Sequence, residues 1–165
     1  LPVGSVGELL VGGEQMMTGY VGDEEATKKA LIQLDGRTWV RTGDYFRQDE
    51  QGRLFFMGRK KRLIKISGIN VFPTEIEKVV KELPFINECA CIEYRMKGKP
   101  YIKVLVEGEI SDAQKQAVIS HVAKRMSHWN IPRCVECVTE FPRTKIGKID
   151  IKGLSYEFGK DTQGG

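Results

Sequence analysis

Apolar positions fall in short runs, alternating or at helical spacing. Val6-Gly-Glu-Leu-Leu-Val-Gly12 and Met16-Met-Thr-Gly-Tyr20 flank Gly-Gly and predict a β-hairpin. Asp23, followed by Glu24 and Glu25, predicts a capped helix running to about Leu34. Thr38-Trp-Val-Arg41 reads as extended, and Thr42-Gly-Asp44 as a turn presenting the Asp44 carboxylate. Asp49-Glu-Gln-Gly52 predicts a second turn before the strand Arg53-Leu-Phe-Phe-Met57.

Further on, Leu63-Ile-Lys-Ile66 and Asn70-Val-Phe72 predict a hairpin turned at Ser67-Gly68. Pro73-Thr-Glu-Ile-Glu77 predicts a helix capped by Thr74 with Glu77 completing a capping box, and Ile76, Val79, Val80 and Leu83 as its buried face. Strands are expected over 86–94 and 101–107, joined by the basic turn Lys97-Gly-Lys-Pro100. Asp112 should cap a helix to about Ser127, carrying Ala113, Ala117, Val118, His121 and Val122. A short strand over 134–138 and a closing helical turn over 150–158 complete an order βαββαβ, that of a compact α+β unit with its own core. Gly159 to Gly165 reads as a loose tail.

Composition narrows the class. The 165 residues are 41% apolar and 29% charged, as in a soluble globular protein of one ordinary domain or two small ones. No apolar run reaches the ~18 residues of a membrane span, and no signal pattern opens the chain. The chain begins at Leu1 and reads as cut from something longer.

Net charge is +4 but unevenly spread: residues 1–57 hold six basic and nine acidic side chains, and 58–165 hold twenty and thirteen. The sign changes at Gly58-Arg-Lys-Lys-Arg62, which predicts a boundary between two units. That stretch also raises a basic nucleic-acid-binding module, although no aromatic stacking pattern surrounds it and it runs into an apolar strand. Cys89 with Cys91 and Cys134 with Cys137 raise a zinc site by spacing. Both pairs sit in predicted strands where cysteine serves as a small apolar residue, so reduced core thiols and no zinc are expected.

The stretch Phe141-Pro-Arg-Thr-Lys-Ile-Gly-Lys-Ile-Asp150 holds three cations within six positions. Gly147 gives the backbone room immediately before Lys148, and a lysine on such a turn is a movable point charge for a carboxylate or phosphate. On local grounds a solvated basic loop is an equal alternative.

Together these segments resemble the adenylate-forming superfamily: acyl-CoA synthetases, luciferases and the adenylation domains of peptide synthetases. The markers occur in family order: Gly7-Glu-Leu with Gly19-Tyr20, Arg41-Thr-Gly-Asp44, Gly58-Arg59 with Ile64-Lys-Ile-Ser-Gly68, Pro73-x-Glu-Ile-Glu77, and Pro142-Arg-Thr-x-x-Gly-Lys148. The resemblance implies residues 1–60 as the β-rich C-terminal piece of a large ATP-binding domain. It implies 61–158 as a small mobile α+β lid with a mixed sheet flanked by helices, and 159–165 as a tail. In that family a carboxylate attacks the α-phosphate of ATP, releasing pyrophosphate, and a thiol then displaces AMP.

By position, Lys148 is implied as the catalytic lysine of adenylation, Asp44 as acceptor of the ribose hydroxyls, and Arg59 as a second nucleotide neighbour. Lys61 falls at the hinge. Lys65 and Gly68 lie on the thioester-step loop, Gly68 lining the pantetheine tunnel. One ammonium about 4 Å from developing negative charge supplies on the order of 4 kcal/mol at an effective dielectric of ~20.

ATP with Mg2+, a carboxylic acid and coenzyme A are the implied partners, with no nucleic acid, no transmembrane segment and a cytoplasmic location. The family's phosphate loop, its adenine-holding aromatic segment and its acyl pocket have no counterpart here, so the fragment alone is expected to be inactive. An adenylation domain loading a carrier protein is the alternative acceptor class, although no Gly-Gly-x-Ser attachment site follows. A non-catalytic binding module is the alternative outside enzymes.

Overall fold

The computed structural model describes residues 1–160; residues 161–165 of the expected tail lie outside the described residues. The chain divides into two compact units, Leu1–Lys61 and Arg62–Gly165. Each is built differently.

The first unit is a four-stranded sheet around one long strand. Strand β1 (Val6–Val11) pairs antiparallel with β3 (Arg37–Gln48), from Val6 opposite Arg47 to Val11 opposite Val40. Strands β2 (Leu31–Leu34) and β4 (Leu54–Arg59) pair with successive halves of β3. The predicted hairpin between 6–12 and 16–20 is therefore not formed: β1 takes β3 as partner, and residues 16–19 carry no strand. Helix α1 (Glu24–Ala30) is capped by Asp23, whose Oδ1 accepts from the Ala26 N–H at 2.8 Å. It stops short of Leu34 because Leu31 and Ile32 join the sheet opposite Val40 and Trp39, and strand pairing overrides helix propensity there.

The second unit layers helices on both faces of a three-stranded sheet. Strand β5 (Ile64–Ile66) and β6 (Ile69–Val71) form the expected hairpin, with Ser67 at φ +50° and Gly68 at φ +83° making its turn. Strand β7 (Cys89–Met96) runs antiparallel to the central β8 (Lys99–Glu107), and β9 (Cys134–Val138) runs parallel to it. Helices α2 (Pro73–Val80) and α3 (Asp112–Arg125) cover one face. There Ile76, Val80, Val118 and Val122 pack with Cys89, Cys91, Ile102, Val104 and Val106. On the other face α4 (Ile151–Phe158) places Leu154 with Ala90, Ile92, Leu105, Val138 and Phe141. Covering both faces explains why five consecutive positions of β8, residues 102–106, are buried, with Lys103 among them paired to Glu136.

Two predicted caps move by one or two residues. Pro73 occupies the first turn of α2, Phe72 stands at the cap position, and Thr74 caps nothing. Glu77 is occupied elsewhere, accepting from Arg62 at 2.5 Å and from the Cys91 N–H at 2.8 Å. At α3 the cap is Ser111 rather than Asp112. Its hydroxyl accepts from the Gln114 N–H, and the Gln114 amide accepts from the Ser111 N–H at 2.8 Å.

Candidate active site

In the first unit the Thr42-Gly43-Asp44 stretch is a bulge inside β3, not the predicted turn. Glu8 faces Tyr45 while Leu10 faces Arg41, so β3 carries the extra residues between those pairs. Gly43 takes φ +72°, and the Thr42 hydroxyl donates to the Leu9 carbonyl at 2.9 Å and accepts from the Asp44 N–H at 3.1 Å. The bulge aims Asp44 at Arg59 on β4, with Arg59 Nε 3.1 Å from Asp44 Oδ1. The pair is close without hydrogen-bond alignment: Asp44 Oδ1 is shielded from solvent and has no hydrogen-bond partner. The Asp44 side chain is 25% exposed overall, so the carboxylate still offers acceptor capacity to a ligand that brings hydroxyl hydrogens.

Glu8, missed as a site residue from the sequence, ties neighbouring motifs together. Its Oε2 accepts from Arg41 at 2.6 Å and from Lys60 Nζ at 3.2 Å. The Arg41 guanidinium holds the Glu8 carboxyl below its ordinary range, with Lys60 adding to the effect against the cost of burial. Hydrophobic spacing gives no signal of a cross-strand pair 33 residues apart.

Within Arg59-Lys-Lys-Arg62, three of the four cations pair with carboxylates: Arg59 with Asp44, Lys60 with Glu8, and Arg62 with Glu77. The stretch is thus not a free cationic patch. Lys61, exposed in the 3-10 turn Lys60–Arg62, has no ion-pair partner among the described residues, and the two units divide immediately after it.

In the second unit Lys65 is exposed on β5 opposite Asn70. Gly68 is equally exposed, and a Cβ there would meet nothing within 4 Å; its positive φ accounts for glycine by turn geometry alone. Lys148 stands on a small hairpin. The Thr144 N–H donates to the Lys148 carbonyl at 2.7 Å, and the Gly147 N–H to the Thr144 carbonyl at 2.9 Å, while Arg143 bridges Ile149. Residues 145–147 form the loop, Gly147 taking φ +77° at the left-handed position that such hairpins need. The hairpin's base is closed where the Asp150 N–H donates to the Pro142 carbonyl at 2.7 Å. Buried Phe141 anchors one end, and Asp150 caps α4 through the Lys152 and Gly153 N–H groups at the other. The Lys148 side chain is exposed, without an ion-pair partner among the described residues.

The structure therefore groups Asp44 with Arg59 in one unit, and holds Lys65, Gly68 and Lys148 in the other. Two open depressions of the first unit lie elsewhere, one along residues 18–28 and one lined by Met16, Met17, Leu31 and Trp39. Cys89 and Cys91 lie buried under the helices, where burial pushes the Cys89 thiol up to about 12 and the Cys91 thiol well above its ordinary value. Among the described residues no three His, Cys, Asp or Glu side chains gather to hold a metal ion, and no helix is long and apolar enough to cross a membrane.

Residues 75–148 match the family described as AMP-binding enzyme C-terminal domain. Over 150 residues the chain is 32% identical to a long-chain-fatty-acid–CoA ligase of Escherichia coli O6:H1, covering 90% of this chain and 26% of that protein. It is also 32% identical to an L-allo-isoleucine:holo-[CmaA peptidyl-carrier protein] ligase of Pseudomonas savastanoi pv. glycinea, over 92% of this chain and 26% of the relative. Among solved structures, amide bond synthetase McbA from Marinactinospora thermotolerans superposes with a TM-score of 0.82 at 29% identity, covering 98% of this chain and 32% of that one. The chain spans about a quarter of the length of these curated relatives. In sequence and in its mixed α+β architecture the chain is similar to adenylate-forming, AMP-binding enzymes, with residues 75–148 matching their C-terminal domain.

Proposed function

We propose that the chain is part of an ATP-dependent carboxylate–thiol ligase. In the first step a carboxylate oxygen attacks the α-phosphorus of ATP, and the bond to pyrophosphate breaks. In the second, a thiol sulfur attacks the acyl carbonyl of the adenylate, its proton is lost, and AMP leaves. Coenzyme A is the favoured thiol, with a fatty or aryl acid as substrate, in the cytoplasm. Mg2+ would enter with the triphosphate.

The observation that carries this reading is Asp44: a bulge-aimed, partly exposed carboxylate beside Arg59, for which no hydrogen-bond donor from the chain is seen at Oδ1. The ribose hydroxyls of ATP would supply that donor. Lys148 is the group assigned to adenylation, since its ammonium can offset charge building on the α-phosphate and the bridging oxygen. Residues 1–60 serve as the end of the ATP-binding domain, and 61–158 as a lid pivoting at Lys61. Lys65 and Gly68 belong to the face used for thioester formation. A carrier-protein pantetheine is the second acceptor reading, favoured by the similarity to a peptidyl-carrier protein ligase.

The test uses the full-length polypeptide, with pyrophosphate release followed over a panel of straight-chain fatty acids and aryl acids. Lys148→Ala is expected to slow adenylate formation roughly 10²–10³-fold while sparing thioester formation from preformed acyl-adenylate. Equal loss in both half-reactions would remove the assignment of Lys148. Coenzyme A and a phosphopantetheinylated carrier, offered separately, distinguish the two acceptors.

A further inference from the structure

Glu107 closes the central strand β8, and its carboxylate is turned toward the start of the Lys148 hairpin. Glu107 Oε1 accepts from the Phe141 N–H at 2.9 Å, immediately before Pro142. The same oxygen lies 3.9 Å from Arg143 Nη2, while Arg143 Nη1 donates to the Gly147 carbonyl at 3.1 Å. One guanidinium thus spans from a rigid strand end to the carbonyl next to Lys148. The planar fork makes this possible, whereas a single ammonium could not hold both ends with the same geometry. Glu107 is only 19% exposed and its backbone is fixed on both sides: its N–H donates to the Glu88 carbonyl, and it lies opposite Val138 on β9.

We propose that Glu107 and Arg143 are positioning residues that set where the Lys148 ammonium stands relative to the body of its unit. The inference rests on the assignment of Lys148 to adenylation given above. Phe141 in the core fixes the hairpin's root, but a root alone leaves a narrow hairpin free to swing. The Glu107–Arg143–Gly147 link triangulates it. Displacing a reacting group by about 1 Å costs up to ~10² in rate, so such a link matters to catalysis without touching substrate.

In the full-length polypeptide, with the acid of the panel that releases pyrophosphate fastest, Arg143→Ala and Glu107→Ala should each lower kcat for adenylation roughly tenfold. KM for ATP and thioester formation from preformed acyl-adenylate should stay unchanged. Glu107→Gln keeps an acceptor for the Phe141 N–H and should recover part of the loss. Arg143 lies on the surface with its side chain 42% exposed, so its variant should fold normally. Wild-type kcat in Arg143→Ala, or equal losses in both half-reactions, overturns the positioning role. Lys148→Ala run alongside separates the two claims: if it splits the half-reactions and Arg143→Ala does not, only the positioning role falls. Hydrogen exchange in the 165-residue chain reads the link without any substrate. Arg143→Ala should speed exchange at the Thr144 and Gly147 amides, and unchanged exchange there would likewise overturn it.

Discussion

Asp44→Asn keeps the side chain's shape but replaces one acceptor oxygen with a donor and removes the charge facing Arg59. A hydrogen bond to a charged group contributes about 1.5–3 kcal/mol, so affinity for ATP in the full-length polypeptide should fall roughly tenfold to a hundredfold. Calorimetric titration with ATP measures it; unchanged affinity would detach Asp44 from the nucleotide. The ion pair with Arg59 adds little itself, because that guanidinium is mostly exposed. Asp44 was legible in the sequence as a presented carboxylate, but its aim was not. A bulge depends on which strand lies opposite, and the sequence pattern pointed β1 at the wrong partner.

Buried thiols give a second residue-scale outcome. Cys89 ionises near 12 in the folded state, against an ordinary value of 9.0. Above pH 9 the unfolded chain loses that proton while the folded one keeps it, so stability falls as pH rises toward 12, and Cys91 acts in the same direction. Each such thiol contributes a slope of about 1.4 kcal/mol per pH unit in that window. Denaturant titrations at successive alkaline pH values should show the loss, and Cys91→Ala should reduce the slope.

Among the elements, α2 and α3 make a matched pair for testing helix starts. Ser111→Ala removes the hydroxyl of a complete capping box and should cost about 1 kcal/mol, read as a lower melting temperature. Thr74→Ala should leave the melting temperature of the chain unchanged, because Thr74 caps nothing. Much of the second unit was legible: the 67–68 turn, the buried faces of Ile76 and Val80, the short strand over 134–138 and α4 all follow from spacing and turn residues, whereas the parallel pairing of that strand does not. It failed where two good signals sat side by side. Thr74 and Glu77 match a capping box, yet Pro73 set the start and Arg62 took the glutamate. Ser111 and Asp112 both make good caps, and Gln114 decided between them. In the first unit α1 was overextended because Leu31 and Ile32 fit a helix locally and a sheet globally.

At the scale of the molecule, the hydrophobic core belongs to the second unit: the fully buried apolar side chains fall between Ile64 and Leu154, and among residues 1–61 only Gly58 is fully buried. The first unit instead leaves Leu54, Phe55 and Phe56 exposed along β4. A peptide of residues 62–160 should therefore unfold cooperatively, while one of residues 1–61 should show no cooperative melt. Circular dichroism on the two peptides checks this, and a cooperative melt for 1–61 would contradict it. The change of charge at 58–62 lies next to the point where the two compact units divide, but nothing in the charge pattern signals the poverty of the first unit's core. Alternating patterns report which residues want burial, not whether enough chain is present to bury them.

The Lys148 hairpin has one more consequence, for time. Its strands are bonded to each other, its root is set in the core by Phe141, and its far end runs directly into α4. With Arg143 also linking it to Glu107, the hairpin is expected to move with the unit that carries it rather than as a loose loop on the nanosecond scale. Under the two-step reading, exchange of one active face for the other would keep the microsecond-to-millisecond clock of domain motion. Turnover would then slow with solvent viscosity even where the chemistry itself is fast.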